Sequence, residues 1–115
     1  MFYYKNISAL FTGDIEKVAE EALLKKYDTY ILNATILKVA HHGSKSSSIQ
    51  PFLDRVQPEV ALIGVGEKNK FGHPNTAVIE RLENIGASIF RTDKDGEISI
   101  TVDRWGKYGI KKCIR

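Results

Sequence analysis

Val60-Ala61-Leu62-Ile63-Gly64-Val65 is apolar almost throughout, the pattern of a strand covered on both faces in a parallel sheet. Downstream, a polar loop from Gly66 to Pro74 leads to Asn75, a side chain suited to capping a helix. That helix runs through Ile85 with Val78, Ile79, Leu82 and Ile85 on its buried stripe, and Gly86 ends it. Ala87 to Arg91 follows as a strand. Asp95-Gly96 reads as a hairpin turn into a strand from Glu97 to Val102, and a Trp105-Gly106 turn precedes a last strand from Tyr108 to Ile114.

Upstream the alternation continues. Ile49 to Val56 reads as a short helix with Pro51 in its first turn, and Ser44 to Ser48 as a loop. Ala34 to Ala40 is a strand that runs into His41-His42-Gly43-Ser44. A helix from about Ile15 to Tyr27 shows an apolar stripe of Ile15, Val18, Ala19, Ala22 and Leu23, with Glu16, Lys17, Glu20 and Lys25 outside it. Before it, Ile7 to Thr12 is a strand ending in Gly13-Asp14. The order is β-α-β-α-β-α-β closed by a β-hairpin with antiparallel strands, which predicts a layered α/β fold.

The chain of 115 residues carries 17 Lys+Arg against 14 Asp+Glu, a formal charge of +3, with 43% hydrophobic and 27% charged residues. These values exclude a disordered tail, a collagen-like fibre and a disulfide-stapled mini-protein. No repeat or linker divides the sequence, so residues 1–115 are expected to form a single domain. No apolar run approaches the ~20 residues that span a bilayer, and the expectation is a soluble chain. Cys113 is the only cysteine, which rules out an internal disulfide and a cysteine-rich zinc cage. The pI of 9.0 permits a phosphate-bearing substrate without selecting one.

The three polar clusters Gly13-Asp14, His41 to Ser44 and Gly66 to His73 all follow predicted strand ends, and they hold all three histidines. In open α/β sheets that edge is where ligands bind. Asp14 has the chemistry of a metal ligand able to bridge two ions, with helix capping as the alternative. In His41-His42, one ring can bind a metal while the other holds a phosphate or moves a proton; two surface histidines before a solvated Ser/Lys turn is the competing reading. Gly72-His73-Pro74 fixes a ring at the mouth of a helix, because proline holds the residue before it away from helical geometry. A polar turn before the helix explains it equally well. Gly64-Val65-Gly66 lacks the third glycine of a dinucleotide loop, and Ser44 lacks the strained elbow of a serine hydrolase.

Thr12-Gly13-Asp14-Ile15-Glu16, Leu37-Lys38-Val39-Ala40-His41-His42-Gly43-Ser44 and Gly66-Glu67-Lys68-Asn69-Lys70-Phe71-Gly72-His73-Pro74 occur in this order. With them the chain resembles the metallo-β-lactamase-fold domain at the C-terminal end of ComEC-type competence proteins, and related soluble metallo-hydrolases. The resemblance extends to Arg91-Thr92-Asp93-Lys94-Asp95-Gly96 and covers nearly the whole sequence, although Ala40 stands where the family usually has proline. It implies that Asp14 bridges two metal ions, zinc or manganese, and that His42 is a ligand. By the same resemblance His41 supports the ligand or contacts phosphate, and His73 contacts phosphate or the leaving group. Ser44, Lys45, Asn69 and Lys70 are the expected substrate contacts.

The implied reaction is phosphodiester hydrolysis, with one DNA strand degraded during uptake. The family's H-x-H-x-D-H motif does not occur in this sequence. The chain therefore resembles the C-terminal half of an αβ/βα sandwich, and its metal site is expected to be incomplete, with no ion necessarily held by this chain alone. Two readings follow. One is part of a metal-dependent phosphodiesterase or nuclease that needs the missing N-terminal half. The other is a catalytically inert α/β interaction module that dimerises or pairs with another chain through an exposed sheet face. A ComEC-type parent would be membrane-anchored with this domain outside the cytoplasm; a stand-alone enzyme would be cytoplasmic.

Overall fold

Four parallel strands laid side by side in chain order form the centre of the molecule. The computed structural model describes residues 2–4, 7–13, 15–27, 32–44, 47–64 and 74–113; at residues 2–4, 41, 42, 93, 94, 97 and 113 it describes the backbone only. Strands β2 (Ile7–Phe11), β3 (Ile36–Lys38), β4 (Val60–Ile63) and β5 (Ser88–Arg91) pair in parallel, and β1 (Phe2–Tyr4) lies antiparallel on the outer edge of β2. The connecting helices are α1 (Lys17–Lys26), α2 (Gln50–Val56) and α3 (Thr76–Asn84).

Each crossover steps one strand further in the same direction. Because such crossovers are right-handed, all three helices fall on one face of the sheet. Accordingly α1 packs on α2 and α2 on α3. The core lies between that helix layer and the sheet: Leu10, Leu37, Ala61, Ile63 and the partly buried Ile89 point from the strands toward Phe52, Leu53, Val56, Val78 and Leu82. Alternation along each strand sends Ile7, Ala9, Phe11, Ile36 and Leu62 to the opposite face.

That second face is covered in part by a separate hairpin of β6 (Glu97–Val102) and β7 (Tyr108–Cys113). Its inward side pairs Ile100 with Ile110 and Val102 with Tyr108. Tyr108 Oη donates to Glu59 Oε2 at 2.8 Å, and Lys112 Nζ pairs with Asp95 at 3.2 Å while lying 5.2 Å from the centre of the Phe90 ring. A groove of about 260 Å³ remains between hairpin and sheet, lined by Ile7, Ala9, Phe11, Ile36, Leu62, Ile100 and Val102. Phe11 on its rim is 67% exposed. Val60 to Ile63 is thus sealed on the helix side, whereas Leu62 on the other side borders an open groove. Among the described residues no helix is long and apolar enough to cross a membrane.

The predicted α/β order is present, with two corrections and one addition. Asp95-Gly96 does not join β5 to β6 as a hairpin. Thr92–Asp95 form a one-turn helix, α4, and the Asp95 carboxylate accepts the Arg91 N–H at 2.8 Å, so the paired positive-φ turn cannot form. Gly96, at φ +70°, instead sends the chain across to the second sheet. The inward face of α1 is also rotated by about one residue. Val18 is 80% exposed and Ala22 exposed, while Ala19, Leu23 and Leu24 turn inward around a fully buried Glu20. Strand β1 is the addition, since three residues are too few to display an alternation.

At α3 the expected cap is in place: Asn75 Oδ1 accepts the Ala77 N–H at 2.9 Å. Replacing Asn75 by alanine is expected to lower stability by about 1 kcal/mol. Urea unfolding checks this, and an unchanged midpoint would show the cap to be dispensable.

Candidate functional site

The register aligns the C-terminal ends of three neighbouring strands, with Phe11 opposite Lys38 and Lys38 opposite Leu62. The connections after β2, β3 and β4 therefore leave the sheet side by side, at the edge where parallel sheets present their ligand-binding loops. Thr12 anchors the first by donating its hydroxyl to the Lys38 carbonyl at 2.8 Å. In the second, the Val39 N–H donates to the Leu62 carbonyl at 2.8 Å, and the chain then winds into a 3₁₀ turn over Ala40–Gly43. The third returns at Pro74-Asn75, where the Asn75 N–H donates to the Gly43 carbonyl at 2.8 Å.

Gly43 is the close approach on which this arrangement depends. Its φ is +80°, and a Cβ placed there would lie 2.5 Å from Pro74 Cβ and 3.0 Å from Pro74 Cα. The residue after His42 thus touches the residue after His73. A second glycine, Gly64, makes room for a cation: a Cβ on it would lie 2.8 Å from Lys38 Nζ.

Asp14, Lys45, Asn69, Lys70 and His73 lie outside the described residues, as do the side chains of His41 and His42, whose backbones form the 3₁₀ turn. Ser44 is buried directly after that turn, and its carbonyl accepts the Ser47 N–H at 3.1 Å. What the described residues bring together at one edge is the ends of β2, β3 and β4, the Ala40–Gly43 turn and Pro74. The N-cap position of α1 falls on Glu16, which makes no side-chain capping hydrogen bond. Among the described residues, no group of three or more ligating side chains gathers anywhere.

Three residues behind this edge, Glu20, Ser47 and Arg81, carry bonds that the sequence reading did not assign them. The Glu20 carboxylate accepts the Ser48 N–H at 2.6 Å and the Ile49 N–H at 2.9 Å. Arg81 Nη1 donates to the carbonyls of Ser47 and Ser48 at 3.3 and 3.0 Å. The Ser47 hydroxyl donates to the Ile15 carbonyl at 2.5 Å. Burial raises the Glu20 pKa above its ordinary value of 4.5, outweighing the opposing pull of the two amide hydrogen bonds and of Arg81. The available signal was Glu20 itself, an acid flanked by Ala19 and Ala22-Leu23-Leu24, but its partners lie 28 and 29 residues away.

Over 97 residues, 84% of its length, the chain is 38% identical to competence protein ComA of Neisseria gonorrhoeae, and over 92 residues, 80% of its length, it is 36% identical to ComE operon protein 3 of Bacillus subtilis strain 168. The chain is homologous to one segment of the competence proteins. The matched stretches make up 14% and 12% of those two proteins, so the chain spans a small part of the relatives it matches. Recombination protein 2 of Haemophilus influenzae is 32% identical over 93 residues, 81% of the chain and 11% of that protein. No family model matches the chain, and no solved structure matches it.

Proposed function

We propose that this chain is the C-terminal half of a metallo-β-lactamase-like hydrolase domain that cleaves phosphodiesters, with DNA handled during competence as its substrate. The observation that carries the reading is the side-by-side exit of the three motif-bearing connections from β2, β3 and β4, drawn together by the Gly43–Pro74 contact. Homology to competence proteins supports the substrate class.

The donor set fits a divalent ion in type. One carboxylate, Asp14, and the imidazole of His42 would hold it, and such ligands suit zinc or manganese. It does not fit two ions in number. Open zinc sites use three protein ligands each, so a pair needs on the order of six donors, and the sequence has three histidines in all. The remaining ligands would come from an N-terminal half joined to this chain. When bound, the metal supplies Lewis-acid polarisation of a phosphoryl oxygen and a water acidic enough to attack at neutral pH. In this reading His41 and His73 hold or move a proton at the diester oxygens, and Ser44, Lys45, Asn69 and Lys70 contact its phosphate. The half-open apolar groove beneath the hairpin, with Phe11 at its rim, supports the second half as the partner that packs there.

The test joins this chain to a segment carrying the H-x-H-x-D-H motif and measures cleavage of single-stranded DNA with and without Mn²⁺. Metal-dependent cleavage by the joined protein is expected, with a loss of about 100-fold or more in Asp14→Ala and in His42→Ala. Absence of metal-dependent cleavage overturns the hydrolase reading. A stable homodimer of the 115-residue chain, burying Phe11, would favour the interaction-module alternative.

A further inference from the structure

Among the described residues the buried polar ones are Thr12, Glu20, Ser44, Ser47 and Ser48. All five belong to the two connections that carry Asp14 and His41–Ser44, or to the helix directly after Asp14. Polar groups taken out of water need partners. Here those partners form one continuous set of hydrogen bonds, with Ser47 at its centre.

Ser47 reaches both candidate ligand segments. Its hydroxyl donates to the carbonyl of Ile15, the residue after Asp14, and its N–H donates to the carbonyl of Ser44, which ends the His-His-Gly-Ser run. Its own carbonyl accepts from Arg81. The next residue, Ser48, holds a φ of +56°. That backbone conformation is strained for a non-glycine residue and persists only where its surroundings impose it. Glu20 takes the Ser48 N–H while Arg81 donates to the Ser48 carbonyl, so both sides of the strained unit are held. A solvated serine loop would need none of this.

We infer that Ser47, clamped by Glu20 and Arg81, is a positioning residue that fixes the Asp14 segment against the His41–Ser44 segment. The inference rests on the metal-site reading for its purpose, but the coupling belongs to this chain alone. Removing the Ser47 hydroxyl frees the Ile15 carbonyl and leaves the first segment tied to the second only at its two ends, by Thr12 to the Lys38 carbonyl and by Glu20 to the Ser48 and Ile49 amides.

The experiment uses the 115-residue chain and its Ser47→Ala variant, with Asn33→Ala as a control; Asn33 donates a single side-chain hydrogen bond to the Val56 carbonyl, away from these segments. In the metal-free proteins, NMR follows the Asp14 amide and the His42 imidazole, and calorimetric titration measures Mn²⁺ affinity. Ser47→Ala is expected to shift both signals, which Asn33→Ala leaves in place. It should also weaken Mn²⁺ binding by about tenfold, the usual scale when support behind a ligand is removed. In an Asp14→Ala background the same change should cost nothing further. Unmoved signals in a folded Ser47→Ala protein overturn the positioning role. If the unaltered chain binds no Mn²⁺, the metal reading fails for this chain, and the NMR shifts alone still decide the coupling.

Discussion

Glu20→Ala is expected to cost about 2–5 kcal/mol, because two buried amide N–H groups lose their acceptor at about 1–3 kcal/mol each, and thus a large share of the ~5–15 kcal/mol that holds a domain folded. The carboxylate is 0% exposed. Its removal leaves the N–H groups of Ser48 and Ile49 without their acceptor at the start of α2. Urea unfolding would measure the loss. A cost below about 1 kcal/mol, the value of one ordinary hydrogen bond, would show that the cluster contributes little to stability.

The same residue gives a pH dependence of known sign. Burial raises the folded pKa of Glu20 above 4.5, so between 4.5 and the folded value the native state binds more protons than the unfolded chain. The contribution from protonated Glu20 is therefore fully present below 4.5 and lost as pH rises through the folded value. Relative to Glu20→Gln, which cannot titrate, the unaltered protein should be progressively less stable as pH rises above 4.5. A stability difference that stays flat or moves the other way would mean that the amide hydrogen bonds, not burial, control this carboxyl.

Gly43→Ala is the second large effect, and Gly86→Ala separates its causes. Both glycines sit at nearly the same backbone angle, φ +80° and +78°. A Cβ on Gly86 meets nothing within 4 Å, whereas on Gly43 it meets Pro74 at 2.5 Å. Gly86→Ala should therefore show the backbone cost alone, about 1–2 kcal/mol. Gly43→Ala should add overpacking against a proline that has no flexible end to move, for a total of about 2–5 kcal/mol. Because the clash pushes the Pro74 connection away from the His41–Gly43 turn, Gly43→Ala should also abolish metal-dependent activity in the joined protein, with Gly86→Ala active. Equal losses of stability in the two variants would mean that the Gly43–Pro74 approach is not a close contact in solution.

Periodicity was informative where one face of an element is purely apolar. Val78, Ile79, Leu82 and Ile85 read as the inner stripe of α3, and they pack there. The adjacency of the three site connections was also legible, because alternating strands and helices imply a parallel sheet whose strand ends share an edge. On α1 the pattern was degenerate. Ala19 and Leu23 belong to either of two stripes one residue apart, and the charge on Glu20 argued for solvent. Its burial is justified only by amides that sequence spacing does not bring near. Asp95-Gly96 failed for a related reason: the turn signal is local, and the bond from the Arg91 amide to the Asp95 carboxylate gave the backbone a helical alternative. The residue types at the candidate site were readable one by one. The bonds of Ser47 to Ile15 and to Arg81 span 32 and 34 residues and belong to tertiary structure alone.

The strand order β1-β2-β3-β4-β5 repeats the order of the chain. No strand has to be inserted between two others already paired, so the sheet can lengthen by addition at a single growing edge. Each new strand meets a finished neighbour made just before it, which keeps loop closures short and favours rapid assembly. On the ribosome, where N-terminal segments emerge first, β1 and β2 would wait as the template and β5 would dock last. The Gly43–Pro74 contact joins the connections after β3 and β4, so these two meet only late in synthesis, after Thr12 has already been tied to the end of β3.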